Sequence, residues 1–479
     1  MLETIGELFF FTVNTLVLIF AVSIAFAYLV LAALSMWEMQ KYMRKNYFVD
    51  YKYILASPFA PGISLLAPAY NEGLTIIDNV KSLLSIMYNN FEVIIINDGS
   101  KDDTLEKMIV AFDLVKVEYD VQYFINTKPV RGVYKSKNRA FKKLTVVDKQ
   151  NGGKADALNV GLNISKQDLV ACIDVDCIIE PDALLKMVKP FLEEKTEVIA
   201  SGGVVRIANS CVVEEGRLIE VRLPDKLIAR FQVLEYIRAF LLGRMAWSRL
   251  NGLLLISGAF GLFKRDIAIS AGGYDHNTVG EDMELVVRMR VYMHEQKRKY
   301  KVSYIPDPLC WTEAPSNYTI LGRQRNRWAR GTYETLKIHR KIFFNPRFGV
   351  MGMLSYPFWF FYEWMAPFVE FFGLLFFLAL VLLGKVNWIF FLALLLAVYC
   401  FAFFISMFSL LAEEVSFFKY TQKRAVTRMI FTAMIEPFWF HPRVVWWALK
   451  GNFDLWKGKK SWGEMTRTGF VQYKKKPSA

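Results

Sequence analysis

The sequence predicts an α/β domain with a mainly parallel sheet, embedded in an α-helical membrane part. Three observations predict it. Short apolar strands alternate with helical spacing through the middle of the chain, long uncharged runs lie toward both ends, and polar motifs sit where strands stop. The 479 residues leave room for both parts, and a composition of 54% hydrophobic and 15% aromatic residues exceeds that of a soluble enzyme.

The first element is the run Leu8–Trp37, which holds no charged residue. About 20 such residues cross a hydrocarbon core. No Lys or Arg precedes the run, and it is longer than the apolar core of a cleaved signal, so residues 1–45 are assigned to a retained membrane anchor and its flank. Glu3 and Glu7 stand before it and Lys41, Arg44, Lys45 and Lys52 after it. Basic flanks mark the cytoplasmic side, which places the middle of the chain in the cytoplasm.

Residues 50–345 read as the α/β domain. ISLLAP (63–68) is a buried strand, Leu74–Met87 a helix, EVIIIND (92–98) a second strand, VQYFIN (121–126) a third and LVACIDVD (169–176) a fourth. Asp102 or Asp103 caps the helix after the second strand, and further helices start near Lys154 and Pro181. Such alternation gives a parallel sheet covered by helices, with ligands at the carboxyl ends of the strands. Residues 225–250 and 317–342 are expected to be helices at the membrane interface.

Residues 346–450 are assigned to membrane and interfacial helices that form a channel. The stretch 350–384 is too long for one straight span, so an aromatic interfacial start followed by a span near 366–384 is expected. Lys385 to Trp388 would be an external turn, and 388–412 would return to the side of Lys419, Lys423 and Arg424. The segment 429–449 holds Glu436, Pro437, His441 and Pro442, which suit lipid poorly, so it reads as a re-entrant hairpin or a surface helix before a cytoplasmic tail, 451–479. The net charge of +14 clusters at membrane edges, which points to a bilayer as partner and away from nucleic acid. The five cysteines have no metal or disulfide spacing, and Cys172 and Cys177 read as reduced core residues.

Five motifs carry chemistry. Asn97-Asp98-Gly99-Ser100 ends the second strand, where a carboxylate meets a base N–H or merely closes a turn. Asp174-Val175-Asp176 ends the fourth, and two carboxylates after an apolar strand suit a hard cation and a diphosphate. Gly152-Gly153-Lys154-Ala155-Asp156 opens a helix, a place for a phosphate, without the pattern of a Walker loop. Gly280-Glu281-Asp282 precedes a helix and offers either a cap or a base for an acceptor hydroxyl. Gln324-Arg325-Asn326-Arg327-Trp328 lies on a basic amphipathic helix, where Trp328 anchors at headgroups or stacks on a sugar, with Gln324 and Arg327 about one turn away.

In this order the motifs resemble those of the processive family-2 glycosyltransferases, among them cellulose and mixed-linkage glucan, hyaluronan, chitin and poly-N-acetylglucosamine synthases. The resemblance runs from about residue 60 to 335 and continues into the membrane part; Asn97 stands where cellulose synthases carry a first Asp. It implies a Rossmann-like GT-A domain. By that resemblance Asp98 would contact uracil, Tyr70 would lie against the base, and Lys154 and Arg327 would face the nucleotide phosphates. Asp174 and Asp176 would hold the nucleotide and Mg2+ or Mn2+, and Asp282 would be the general base. Ser257 and Gly258 would lie on the acceptor side, and Gln324, Arg327 and Trp328 would form a collar at the channel mouth. Trp462, Arg467 and Thr468 resemble a gating segment.

The implied activity is inverting transfer from a UDP-sugar to a growing β-linked exopolysaccharide, moved across the inner membrane by a multi-pass protein with its catalytic domain in the cytoplasm. A β-glucan from UDP-glucose is the first expectation. UDP-N-acetylglucosamine giving a chitin-like or poly-N-acetylglucosamine chain, and non-processive transfer to a lipid carrier, are the alternatives. Accessory subunits leave no mark in the sequence.

Overall fold

The structure is a computed structural model that describes residues 2–214, 216–459 and 471–472. Its strands are β1 (Ile63–Ala69), β2 (Phe91–Asn97), β3 (Leu114–Val117), β4 (Val130–Ser136), β5 (Leu144–Lys149), β6 (Leu169–Ile173), β7 (Ile178–Ile179), β8 (Val198–Ile207), β9 (Val212–Glu214), β10 (Arg217–Glu220), β11 (Phe260–Lys264) and β12 (Lys301–Thr312). Ten of them form one sheet, in the order β3-β4-β5-β2-β1-β6-β11-β8-β12-β7.

The central run β5-β2-β1-β6 is parallel. Its strands are covered on both faces, and Ile63, Leu65, Leu66 and Val93 to Ile96 have no exposed surface. That is why they read as continuous apolar runs rather than alternating ones. β11 runs antiparallel to β6 and β8 and wedges between the parallel pairs. The carboxyl ends of β1, β2 and β6 therefore open on one side, where Tyr70, Asp98 and Asp174 follow.

The strand expected over 121–126 does not form. The chain there is a loop, and the sheet is finished instead by β3 and β4. The physical reason is a side chain that replaces a ladder: Asn163 accepts from the Ile125 N–H at 3.0 Å and donates to the Ile125 carbonyl at 2.8 Å. With those backbone groups satisfied, no neighbouring strand is needed, and Tyr123 and Phe124 stay exposed.

Among the described residues two helices are long and apolar enough to cross a membrane, within Phe10–Asn46 and Trp388–Ser416, and the pair Met351–Trp364 and Ala366–Leu382, bent by 40°, makes a third if it is one span. The segment after them forms two helices, Ala425–Trp439 and His441–Trp456. Its acidic residue has a partner: Glu436 takes a two-point pair from Arg238, at 2.9 and 3.0 Å. Other ties hold the α/β domain to these helices. Arg249 pairs with Glu38 at 2.9 Å, Tyr42 donates to Asp307 at 2.6 Å, and a buried pair joins Arg206 of β8 to Glu413.

Candidate active site

Asp98 follows β2 and is 3% exposed. Its carboxylate accepts from Lys149 Nζ at 2.7 Å, from the Gly152 N–H at 2.9 Å and from the Gly153 N–H at 2.8 Å. Lys149 has no exposed side-chain surface and also meets Asp156 at 2.7 Å. A buried ion triad thus holds the glycine loop against the strand ends. Gly153 has a φ of 87°, in the left-handed region that a side chain disfavours. Asp98, expected to face a base, here spends both oxygens on the loop. Lys149 was missed in the sequence, because a lysine in an apolar strand gives no local sign of partners 51 residues away.

Lys154 opens the helix Lys154–Ile164, and its ammonium reaches Asp174 Oδ1 at 2.5 Å, the Gly258 carbonyl at 3.3 Å and Glu281 Oε1 at 3.8 Å. Burial pulls its pKa down, but Asp174 and Glu281 outweigh burial and leave it raised. Glu281 is pushed up to about 7, by burial first, with Lys154 pulling it down and Asp282 pushing it up again. Asp282 Oδ2 accepts from the Gly258 N–H at 3.0 Å, and its Oδ1 from the Met283 N–H at 2.8 Å. Gly258 lies between the two charges: a Cβ there would stand 3.1 Å from Lys154 Nζ and 3.3 Å from Asp282 Oδ2. Lys154, Asp174, Gly258, Glu281 and Asp282 are therefore one cluster, drawn from four separate stretches of chain.

The ligand atoms of Asp174, Asp176 and Cys177 lie within 4.8 Å of one another. Two carboxylates are the donors a hard cation such as Mg2+ or Mn2+ takes. The hydrogen bond with the Cys310 thiol and burial raise the pKa of the Cys177 thiol beside them. The residues present fit a divalent cation held by oxygen.

The helix Tyr318–Ile338 reaches this cluster through two glycines. A Cβ on Gly280 would lie 2.8 Å from the Gly331 Cα, so the loop before Asp282 and the helix touch backbone to backbone. Glu334, one turn on, accepts from Thr278 Oγ1 at 2.8 Å and from the Val279 N–H at 2.9 Å. Nothing in the local pattern marks Gly331 or Glu334. On the same helix Trp328 is 40% exposed, and one face of its ring is backed by the Arg325 guanidinium at 4.1 Å from the centroid. Arg325 is fixed by Glu235 at 2.6 Å. Gln324 Oε1 is buried with no hydrogen-bond partner among the described residues. Arg327 lies near enough to Glu281 to lower its pKa. Tyr70, just past β1, is 44% exposed at the same edge of the sheet. Trp462, Arg467 and Thr468 lie outside the described residues.

A mixed, mostly parallel sheet with carboxylates at its strand ends and a lysine-led helix beside them is the arrangement of a GT-A fold. Two family models match the chain, Glycosyl transferase family 2 over residues 64–249 and Glycosyl transferase family group 2 over residues 169–407. The chain belongs to the family-2 glycosyltransferases. It is similar to the poly-β-1,6-N-acetyl-D-glucosamine synthase of Staphylococcus epidermidis, with 31% identity over 57% of this chain and 55% of that protein. The synthase of the same name from Staphylococcus aureus strain COL matches with the same identity and coverage. The match spans about half the length of these curated relatives. Among solved structures, the mannosyltransferase of Pyrobaculum calidifontis, bound to GDP-mannose and Mn2+, aligns with a TM-score of 0.48 and 15% identity, over 90% of this chain and all of that one. The apolar helices point to a membrane protein.

Proposed function

We propose that this chain is a processive, inverting glycosyltransferase that polymerises UDP-N-acetylglucosamine into a β-linked chain and passes it through the membrane from a cytoplasmic catalytic domain. The observation that carries it is the backbone contact of Gly280 with Gly331, which joins the Asp282 cluster to the helix bearing Gln324, Arg327 and Trp328. Donor chemistry and an acceptor platform are thereby one rigid piece. Glucose gives way to N-acetylglucosamine as the favoured sugar because both relatives named above are poly-N-acetylglucosamine synthases.

Each residue has a proposed task. The Asp98–Lys149–Asp156 triad shapes the Gly152–Gly153 loop for the nucleotide, and Tyr70 lies beside the base. Lys154 and Arg327 face the diphosphate. Asp174 and Asp176 would hold Mg2+ or Mn2+, which when bound neutralises charge on the leaving diphosphate. Asp282 Oδ2 takes the proton of the acceptor hydroxyl as that oxygen bonds to the sugar C1 and the bond from C1 to the diphosphate breaks on the opposite face. Gly258 and Ser257 border the acceptor side. Trp328, stiffened by Arg325, stacks on the terminal sugar, and the orphaned Gln324 Oε1 accepts from one of its hydroxyls. Further along the helix, Tyr333 joins Tyr356, Phe360 and Trp364 of the following segments in lining a cavity of about 200 Å3, whose rings suit a sugar chain. By the flanking charges, residues 1–45, 346–450 and the cytoplasmic tail 451–479 frame the domain 50–345, as a multi-pass protein of the inner membrane.

The test is to supply the purified protein with UDP-N-acetylglucosamine or UDP-glucose alone and digest any product with linkage-specific glycosidases. A polymer from UDP-N-acetylglucosamine, cut only by a β-N-acetylglucosaminidase, is expected. A β-glucan overturns the sugar assignment, and single-sugar addition to a lipid overturns processivity.

A further inference from the structure

A second cavity, of about 580 Å3, lies away from the Asp282 cluster. Its walls hold His294, Arg290, Lys297, Arg298, Lys299 and Arg347, and no carboxylate lines it. Two of these cations are already committed. Arg290 is buried and donates to the carbonyls of Leu253 and Asn251 and to Tyr300 Oη. Arg298 pairs with Glu197 at 2.7 Å. Lys297, Lys299 and Arg347 are exposed, and among the described residues none has a side-chain hydrogen bond or ion pair. Three cations therefore face a concave site with no anion to answer them. Leu250, Phe348, Val350 and Met351 give the wall an apolar part, beside Thr196, Asn251 and Tyr300.

The depth of this cavity can be read against the first helix. On one flank Leu250 follows Arg249, which pairs with Glu38 at 2.9 Å and lies over the Trp37 ring at 3.6 Å. On the other flank Thr196 lies three residues past Glu193, which pairs with Lys45 at 2.7 Å. The cavity thus falls between the levels of residues 38 and 45, just past the end of the uncharged run. Seven residues of helix rise about 10 Å, comparable with the roughly 5–8 Å of one headgroup layer. Its apolar wall also begins the bent helix pair that starts at Met351.

We propose that this cavity binds the phosphodiester headgroup of an acidic phospholipid, with Lys297, Lys299 and Arg347 as its cationic rim and Phe348 to Met351 against the glycerol and upper acyl chain. Basic pockets beside membrane helices draw anionic headgroups in this way. The inference rests on the membrane orientation proposed above and not on the sugar or the transfer step. The site would fix the height of the catalytic domain at the bilayer without touching the donor.

The test uses the full chain in nanodiscs and native mass spectrometry. Wild-type protein is expected to retain phosphatidylglycerol and to lose phosphatidylcholine. Combining Lys297→Ala, Lys299→Ala and Arg347→Ala should weaken phosphatidylglycerol retention on the order of 100-fold, since each cation near a charged surface contributes about five-fold. UDP binding, measured in parallel, should stay unchanged and shows that the variant is folded. The three single variants, each expected to lose about five-fold, serve if the triple variant does not fold. Equal retention by variant and wild type overturns the proposal. So does release of the lipid by millimolar inorganic phosphate, which would mark a site for soluble phosphate. Failure to make polymer from any UDP-sugar would overturn the processive reading and leave the lipid result intact.

Discussion

The two sides of the Asp282 cluster are built differently. On the nucleotide side Asp98, Lys149 and Asp156 are buried and satisfy one another and two backbone N–H groups. On the acceptor side Gln324 Oε1 has no partner among the described residues, and Trp328 is 40% exposed. A group already paired holds shape, whereas a buried polar atom without a partner costs free energy that a ligand's hydroxyl would recover. In the proposed reading the nucleotide side is therefore preformed, and the acceptor side is completed by the sugar chain. Changes on the first should cost stability as well as activity, and changes on the second should cost activity alone.

The largest effect is expected where chemistry joins the two sides. Asp176→Asn should abolish polymer formation in a protein that still inserts and folds, and excess chelator should do the same to the wild type. Full activity in chelator removes the divalent cation from the mechanism. Asp282→Asn should bind UDP normally, as judged by calorimetry, while losing at least ~100-fold in transfer rate, the lower end of what a general base supplies. A loss confined to UDP affinity would move Asp282 to the nucleotide side.

Trp328→Ala should lose ~100-fold in polymer yield through a misplaced acceptor, with UDP affinity and melting temperature unmoved. Gln324→Ala should act in the same direction and less strongly. A fall in melting temperature in either would dissolve the distinction between the sides. Lys149→Met reverses the pattern. It leaves Asp98 and Asp156 buried without their cation, a change worth about 3–5 kcal/mol of stability, and should lower the melting temperature in detergent together with UDP affinity. An unchanged melting temperature would show that the triad does not hold the loop.

The smallest effect concerns Glu281, whose pKa rises from an ordinary 4.5 to about 7. The folded chain then binds a proton that the unfolded chain has released. The stability this contributes is full below about 4.5 and is lost as pH rises through about 7. Wild-type melting temperature should therefore drop between these values by more than that of Glu281→Gln. Parallel curves for the two proteins would remove Glu281 as the cause.

Much of this was legible in the sequence because it is local. The strands β1, β2 and β6 show as apolar runs bounded by polar residues, the carboxylates follow where those strands end, and an uncharged run longer than a bilayer needs announces a membrane helix. Asp174 and Asp176 stand out at the end of an apolar strand, Lys154 and Asp282 at helix starts and Trp328 on a basic amphipathic helix, and their expected roles come from the resemblance. What the structure alone decided lies between segments far apart in the chain. Residues 121–126 have the composition of a strand, yet Asn163 takes up the Ile125 backbone and leaves them a loop. Asp98 carries the motif of a base contact, yet Lys149 and the glycine loop claim its oxygens. Gly280 and Gly331 are ordinary glycines until packing brings their backbones together. Sequence periodicity reports which face of an element is buried, but not which partner meets it, because that choice is made by tertiary packing across some fifty residues of intervening chain.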